Sequence, residues 1–489
     1  MILAALTVLG VLASSGCANG TAHTDTDKPV GTTDDTKAAE VTSVEETETD
    51  AETDALPQVS YGGEEFRVLS QTDGNRHYDI YAEEADESDA VHDAVFNRNL
   101  AVQDRFGISI VVEYDTFSAV NAAIDRMVKS GTDEFDLCFV HMVSGASMAL
   151  DNDFVAFEEL EYIDLSKPWW DKNLKDGFSI GNRLFMANGD ISPSSFSSTS
   201  CLYFNKTMFD RNDLQYPYQL VREGKWTLDR LIEFTKDITA DKDGDGKTDP
   251  HGTADTFGLT SWSYDVPYSL YYGAGGSLVS KDENDMPYYD PNIERDTDIY
   301  GKIYDVIVTN NAYFETVDYN NVGKLFINGQ AMFYDASFLL VGFLRDMDDE
   351  FGILPLPKYS EMQKEYRSFV NGASNMICVP VTCKNLERAS IITEALASEA
   401  YRTVTPVLYE TYLKRKVTRD ADSSEMIDYI LRNRVFDMGY INLFDSIGSF
   451  VRVLLTSKST KVSSVFKQHD KSARRAIEKM IASYKKSAG

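Results

Sequence analysis

The sequence predicts an α/β protein of two lobes. Strand and helix signals alternate from Glu65 to His141, which is the pattern of a parallel sheet covered by helices. The body from Gln58 to Gly489 greatly exceeds what one hydrophobic core accommodates. No repeat of fixed period divides it otherwise.

The elements follow in order. Glu65 to Gln71 (EFRVLSQ) reads as a first strand. Val91, Val95, Val102 and Phe106 recur at helical spacing over Ala90 to Phe106, and Gly107 supplies the stop. Ile108 to Tyr114 is a strand by its β-branched content, Phe117 to Lys129 an amphipathic helix stopped by Gly131, and Phe135 to His141 a third strand. Ligands in such sheets settle at the carboxyl ends of strands, which places His141 and the loop through Ser144 at a cleft edge. Further on, Thr227 is positioned to cap a helix with Leu228, Leu231, Phe234 and Ile238 on its buried face. Ala331 to Tyr334, Phe351 to Leu354 and Met376 to Val379 read as short buried strands, and Glu387 to Ala400 as a helix.

Composition removes whole classes of function. With 78 acidic against 47 basic residues the formal charge is −31, and no basic stripe offsets it, so no nucleic acid is expected as a partner. Residues 18–57 hold eleven acids, two lysines and no aromatic residue, and read as an extended, disordered Thr-rich tether. Cys138, Cys201, Cys378 and Cys383 lack the paired spacing of a zinc site and read as buried thiols, with a Cys378–Cys383 bridge left open. No HExxH, GxSxG or P-loop occurs.

The N-terminus resembles a bacterial lipoprotein signal peptide. Ile2 to Ala13 is apolar but too short to span a bilayer, small residues follow, and then Cys17. The resemblance implies a signal over residues 1–17, a lipid on Cys17 and a body anchored on the outer side of the membrane. No Lys or Arg precedes the apolar run, and Ser14 stands where Leu is commoner. An ordinary secretory signal with an incidental cysteine would equally place the body outside the cytoplasm.

Five phrases of the body, in order, resemble one family: Arg98 to Gly107 (RNLAVQDRFG), Arg183 to Lys206 (RLFMANGDISPSSFSSTSCLYFNK), Gly224 to Leu231 (GKWTLDRL), Leu325 to Tyr334 (LFINGQAMFY) and Phe351 to Pro357 (FGILPLP). They resemble the extracellular solute-binding proteins of ABC importers, of the carbohydrate and maltodextrin-binding type. The resemblance implies a type II periplasmic-binding-protein-like fold with lobes joined by a multi-strand hinge. The N-terminal lobe would comprise 58–190 and 369–415, and the C-terminal lobe 191–368 and 416–489. It implies a monomer that captures a carbohydrate, most simply an oligosaccharide, and delivers it to permease subunits without being an enzyme.

A sugar needs aromatic platforms beside short polar side chains. In the run Ser261 to Gly276 the family places ligand-contacting aromatics ahead of the Gly-Gly, so Trp262 and Tyr264 are the first choices for stacking, while Tyr271 and Tyr272 read as core. The same resemblance brings Asp335 and Phe338, after the strand AMFY, toward the pocket. Asn371 and Ser374 lie on the presumed return crossing, where Gly372 would let backbone approach a ligand. His141 and Asp190 complete the set. Each has a structural alternative: a filled core for the aromatics, a capped turn for Asp190, a satisfied surface site for His141. Trp169 and Trp170 read as packing for the crossing.

Asp241, Asp243, Asp245, Lys247 (through its carbonyl) and Asp249 fall at positions 1, 3, 5, 7 and 9 of an EF-hand-like loop with Gly246 at position 6, so a structural calcium ion is expected. Gly252 stands where a bidentate Glu belongs, and Asp255 is the candidate substitute. The alternative is a solvated acidic turn. The rival function is a surface glycoside hydrolase, which needs two carboxylates across a sugar; no motif marks such a pair.

Overall fold

Thirteen strands form two sheets and two small pairs in a computed structural model that describes residues 53–72, 78–80, 89–248, 255–262, 266–315, 323–344, 347–411 and 421–487. The described residues belong to one compact unit, Thr53–Gly489. Residues 1–52, with Cys17 and the apolar run before it, lie outside them.

The first sheet contains β1 (Glu64–Gln71), β2 (Ile108–Asp115), β3 (Leu137–His141) and, much later in the chain, β12 (Asn375–Cys378), in the order β12-β3-β1-β2. β1 runs parallel to β2 and β3, and β12 is antiparallel to β3 with Asn375 opposite His141. Helices α1 (Ala90–Phe106) and α2 (Phe117–Ser130) make the crossovers, capped by Asp89 and Thr116. Both end on a glycine in the left-handed region, Gly107 at φ 57° and Gly131 at φ 68°, where a Cβ would be strained.

The second sheet is built from β4 (Ser200–Asn205), β5 (Phe257–Trp262), β8 (Tyr313–Glu315), β9 (Ala331–Ser337) and β10 (Phe351–Leu354), ordered β10-β4-β9-β5-β8. β5 is parallel to β8 and β9, while β4 is antiparallel to β9 and β10. β6 (Val279–Lys281) and β7 (Pro287–Tyr289) form a hairpin, and β11 (Ser368–Phe369) pairs with β13 (Arg434–Val435). Behind β9, Trp226 is fully buried against Phe333 and donates its indole N–H to the Pro355 carbonyl at 2.9 Å. Thr227 does precede the helix at Leu228–Thr235, but its side chain makes no cap bond.

The sheets share no strand, yet their buried apolar residues run together into one continuous cluster, with a second around Phe196, Tyr203 and Phe338. The lobes are therefore distinct as sheets, while their buried apolar residues are continuous. The four cysteines Cys138, Cys201, Cys378 and Cys383 are buried and free. The expected tether ends earlier than Pro57: Asp54 pairs with Arg105 at 2.5 Å and accepts from Ser398 at 2.9 Å, and Leu56 is buried. Burial alone would raise the Asp54 pKa, but those partners pull it down to about 2.

Trp169 and Trp170 pack the crossing, as the sequence suggests. Both indoles donate to one carboxyl group, Glu394, at 2.9 Å each. Burial pushes that carboxyl up to about 7 against the opposing indole bonds. Its folded pKa lies above the unfolded value of about 4.3, so the stability it contributes is complete below that value and is lost as pH rises through 7. Glu394→Ala, which orphans two indoles and opens a cavity, is expected to lower unfolding free energy by roughly 2–5 kcal/mol in urea titrations at pH 6. A change under about 0.5 kcal/mol, the level of an ordinary surface substitution, would exclude this role.

Candidate functional site

Two connecting segments carry the chain between the sheets, and the strand ends gather around them. Asn188 to Ser200 leaves the first sheet and enters β4, while Ser368 to Asn375 returns to β12. They touch through an antiparallel bridge between Thr199 and Val370 and a hydrogen bond from Asn371 N to the Ser198 carbonyl at 3.0 Å. On the first-sheet side the carboxyl ends of β1 and β3 present Gln71 and His141. On the second-sheet side the parallel strands β5 and β9 end at Trp262 and Ser337, beside the start of β4. The site thus lies at the carboxyl edges of both sheets, where an α/β chain changes direction.

A buried polar network fixes the first side. Gln71 donates to Asn375 Oδ1 at 2.5 Å, and Asn375 Nδ2 donates to Asp79 Oδ2 at 2.8 Å. Ser194, on helix α5 (Pro193–Ser197), donates to the same carboxylate through its backbone N at 2.6 Å and its hydroxyl at 2.5 Å. Arg98 donates to the carbonyls of Asp79 and Ile191, tying helix α1 to the crossing. Burial raises the Asp79 pKa to about 6, although the Ser194 and Asn375 bonds and the nearby Arg98 charge oppose it. Gln71 Oε1 and Ser192 Oγ are buried without a hydrogen-bond partner, leaving acceptor capacity at this edge.

The structure distributes the expected ligand residues unevenly. His141 and Asn371 keep accessible surface, and the His141 ring lies 5.4 Å from that of Phe117. The Trp262 side chain and Tyr264 fall outside the described residues. Phe338 is corrected from platform to core: it is fully buried and stacked on Phe196 at 4.8 Å, leaving no free face for a ring. Asp335 is 1% exposed and accepts from Ser269 at 2.6 Å, so the second sheet's own helix occupies it. Ser374 is buried, accepting from Asn188 at 3.3 Å and donating to its neighbour's carbonyl. Asp190 is held by Thr405 at 2.6 Å and pushed up to about 6 by burial, a carboxyl that braces the crossing against the helix at Leu386–Leu408. Gly372 permits close approach to protein rather than ligand: a Cβ there would lie 2.8 Å from Val143 and 3.0 Å from the Tyr440 ring. Tyr271 and Tyr272 are core residues as expected, hydrogen-bonded to Asp296 and Asp437.

Sequence reasoning missed a polar cavity of about 390 Å³ at the junction. Helix α4 (Lys172–Phe178), preceding the first crossing, supplies one wall, and β6 with the segment 433–438 supplies the other. Glu365 and Arg367, on the approach to the return crossing, sit between them. The one available signal was the density of Asn, Asp and Arg in segments with no strand or helix period. The acidic loop lies elsewhere. Asp241 accepts from Gly244 N and Gly246 N, and one carboxylate oxygen each of Asp241, Asp243 and Asp255 lie within 4.8 Å of one another. Asp255 is 1% exposed; Asp249 and Gly252 fall outside the described residues.

Two α/β sheets with carboxyl edges facing a shared pair of crossings define a two-lobed binding protein. Residues 93–397 match the model of the bacterial extracellular solute-binding protein family, and the chain belongs to that family. Solved structures agree in fold at low identity. A cyclic α-maltosyl-1,6-maltose binding protein from Arthrobacter globiformis is 15% identical, with 86% of this chain and 99% of that one covered and a TM-score of 0.55. A Listeria monocytogenes ABC substrate-binding protein in complex with cycloalternan is 14% identical over 86% and 98%, with a TM-score of 0.52. UgpB of Mycobacterium tuberculosis, in complex with glycerophosphocholine, is 14% identical over 86% and 100%, with a TM-score of 0.54. Among curated proteins none matches.

Asp79→Ala removes the shared acceptor of Ser194 and Asn375 and is expected to cost roughly 3 kcal/mol or more of stability in urea titrations. Unchanged stability would show that the network does not hold the crossing.

Proposed function

We propose that this chain is the receptor of an ABC importer that captures a carbohydrate, most simply an oligosaccharide, between its lobes and hands it to membrane permease subunits as a monomer. The meeting of both sheets' carboxyl edges at two crossings carries this reading. A short-jointed pair of rigid lobes can rotate, and a solute touching both edges favours the closed form. Moving such an equilibrium from 1% to 99% closed takes about 5.5 kcal/mol of differential binding, within reach of several hydrogen bonds and two stacked rings. Trp262 and Tyr264 are the proposed platforms, with His141 and Asn371 as polar contacts. The carbohydrate ligands named for the Arthrobacter and Listeria proteins support this class of solute. A lipid on Cys17 would hold the body at the outer membrane face, and among the described residues no helix is long and apolar enough to cross a membrane.

The hydrolase reading is weaker, because Asp190 and Asp335 are both engaged within the protein rather than facing each other across open space. Thermal shift of the full chain across mono- and oligosaccharides, with product analysis, separates the two. A reversible rise in Tm without released product is expected, and Trp262→Ala should weaken that binding about tenfold, the scale of one lost aromatic contact. Released sugar would establish an enzyme; no shift across the panel would remove the carbohydrate reading.

We further propose a structural calcium ion on Asp241, Asp243, Asp245, the Lys247 carbonyl and Asp249, with Asp255 as the closing acid. The oxygen cluster that includes buried Asp255 supports it. Calcium is expected to raise Tm and a chelator to lower it, with Asp241→Asn abolishing the difference. Identical melting with and without calcium would discard the site.

A further inference from the structure

The junction cavity contains a guanidinium that makes no hydrogen bond or ion pair with the described residues. It belongs to Arg367, which lines the cavity and is mostly buried. The other two cations on the wall are occupied. Arg434 pairs with Asp171 at 2.7 Å and donates to Ser195, and Lys281 pairs with Asp285 at 2.9 Å and donates to Ser179. Burial lowers the Arg367 pKa, with Asp437 as the main opposing charge. That carboxylate accepts instead from the Tyr272 hydroxyl at 2.8 Å and from Tyr440 N at 2.9 Å.

A partly exposed guanidinium with no hydrogen-bonded partner is available to a ligand, and its planar fork fits a carboxylate through two parallel bonds. The rest of the wall is suited to hydroxyl groups: Asn173 donates to the Arg432 carbonyl, Ser277 to the Val279 carbonyl and Asn433 to Glu365, which leaves their side-chain oxygens, with Asp176 and the second Glu365 oxygen, as acceptors. Those two acids, with Asp437, oppose a dianion such as phosphate and leave one negative charge as the match. The volume falls at the small end of ligand pockets.

We infer that this cavity binds a sugar bearing a single carboxylate, with the carboxylate on the Arg367 guanidinium and the hydroxyls on Asn173, Asp176, Glu365 and Asn433. The sugar part rests on the carbohydrate reading above; the anionic part rests on Arg367. The ligand would contact α4, β6 and the segment 433–438, which pack against one another around the cavity.

The test is calorimetric titration and thermal shift of the full chain with D-glucuronate, D-glucose, acetate, inorganic phosphate and a neutral maltooligosaccharide. Glucuronate is expected to bind more tightly than glucose, acetate or phosphate. Arg367→Gln should weaken glucuronate at least thirtyfold, and Arg367→Lys should weaken it less. Because Arg367 makes no hydrogen bond or ion pair, Arg367→Gln is expected to fold, checked by unchanged circular dichroism and Tm without ligand. Absence of glucuronate binding, equal binding by Arg367→Gln, or equal binding of phosphate or acetate would overturn the inference. A maltooligosaccharide that still binds in those cases leaves the carbohydrate-receptor reading standing; its failure together with glucuronate would remove both.

Discussion

Everything in this fold depends on two short segments holding two sheets edge to edge. Asn188–Ser200 and Ser368–Asn375 are bridged at Thr199 and Val370, and each begins or ends in a strand of a different sheet. A single connection would let the lobes twist freely. Two paired backbones restrict relative motion, and the chain passes once more from the helix at Leu386–Leu408, packed on α1, to the helix at Ala421–Arg432, packed on β10. The polar network around Asp79 serves the same end. Its Ser194 comes from the first crossing and its Asn375 from the second, so one buried carboxyl fixes both segments to the first sheet.

That bracing relies on acids placed out of water. Asp79, Asp190 and Glu394 are all raised by burial and all accept hydrogen bonds from segments distant in sequence. A buried carboxyl whose donors are arranged around it is costly to disturb in either direction, so the geometry is specified rather than merely stabilised. The acidic composition has a second use here, beyond keeping the body away from polyanions.

Local signals made most of the first sheet legible. Helix α1 spans the same residues as its apolar period, because Val102 and Phe106 join the main core, Val91 and Val95 pack with the helix at Leu386–Leu408, and Gly107 can turn where other residues strain. β10 likewise matches Phe351–Leu354. Long-range packing was not legible. The family resemblance brings Phe338 toward the pocket, but only the fold reveals that Phe196 lies flat against it. Gly372 signals close approach without saying to what, and the answer is Val143 and Tyr440. The solitude of Arg367 is the hardest to foresee, since it depends on Asp171 and Asp285 having claimed the neighbouring cations. Spacing can locate a motif such as the Asp241 loop; it cannot say which side chains are already paired.

The central claim is that two lobes bend about a paired crossing when solute bridges them. Small-angle scattering of the full chain, with and without a saturating sugar that raises Tm, measures this directly. The account expects the radius of gyration to fall on binding and to recover when the sugar is dialysed away. An unchanged radius with the sugar demonstrably bound would mean that the two sheets form one rigid body, and the closing receptor would have to be abandoned.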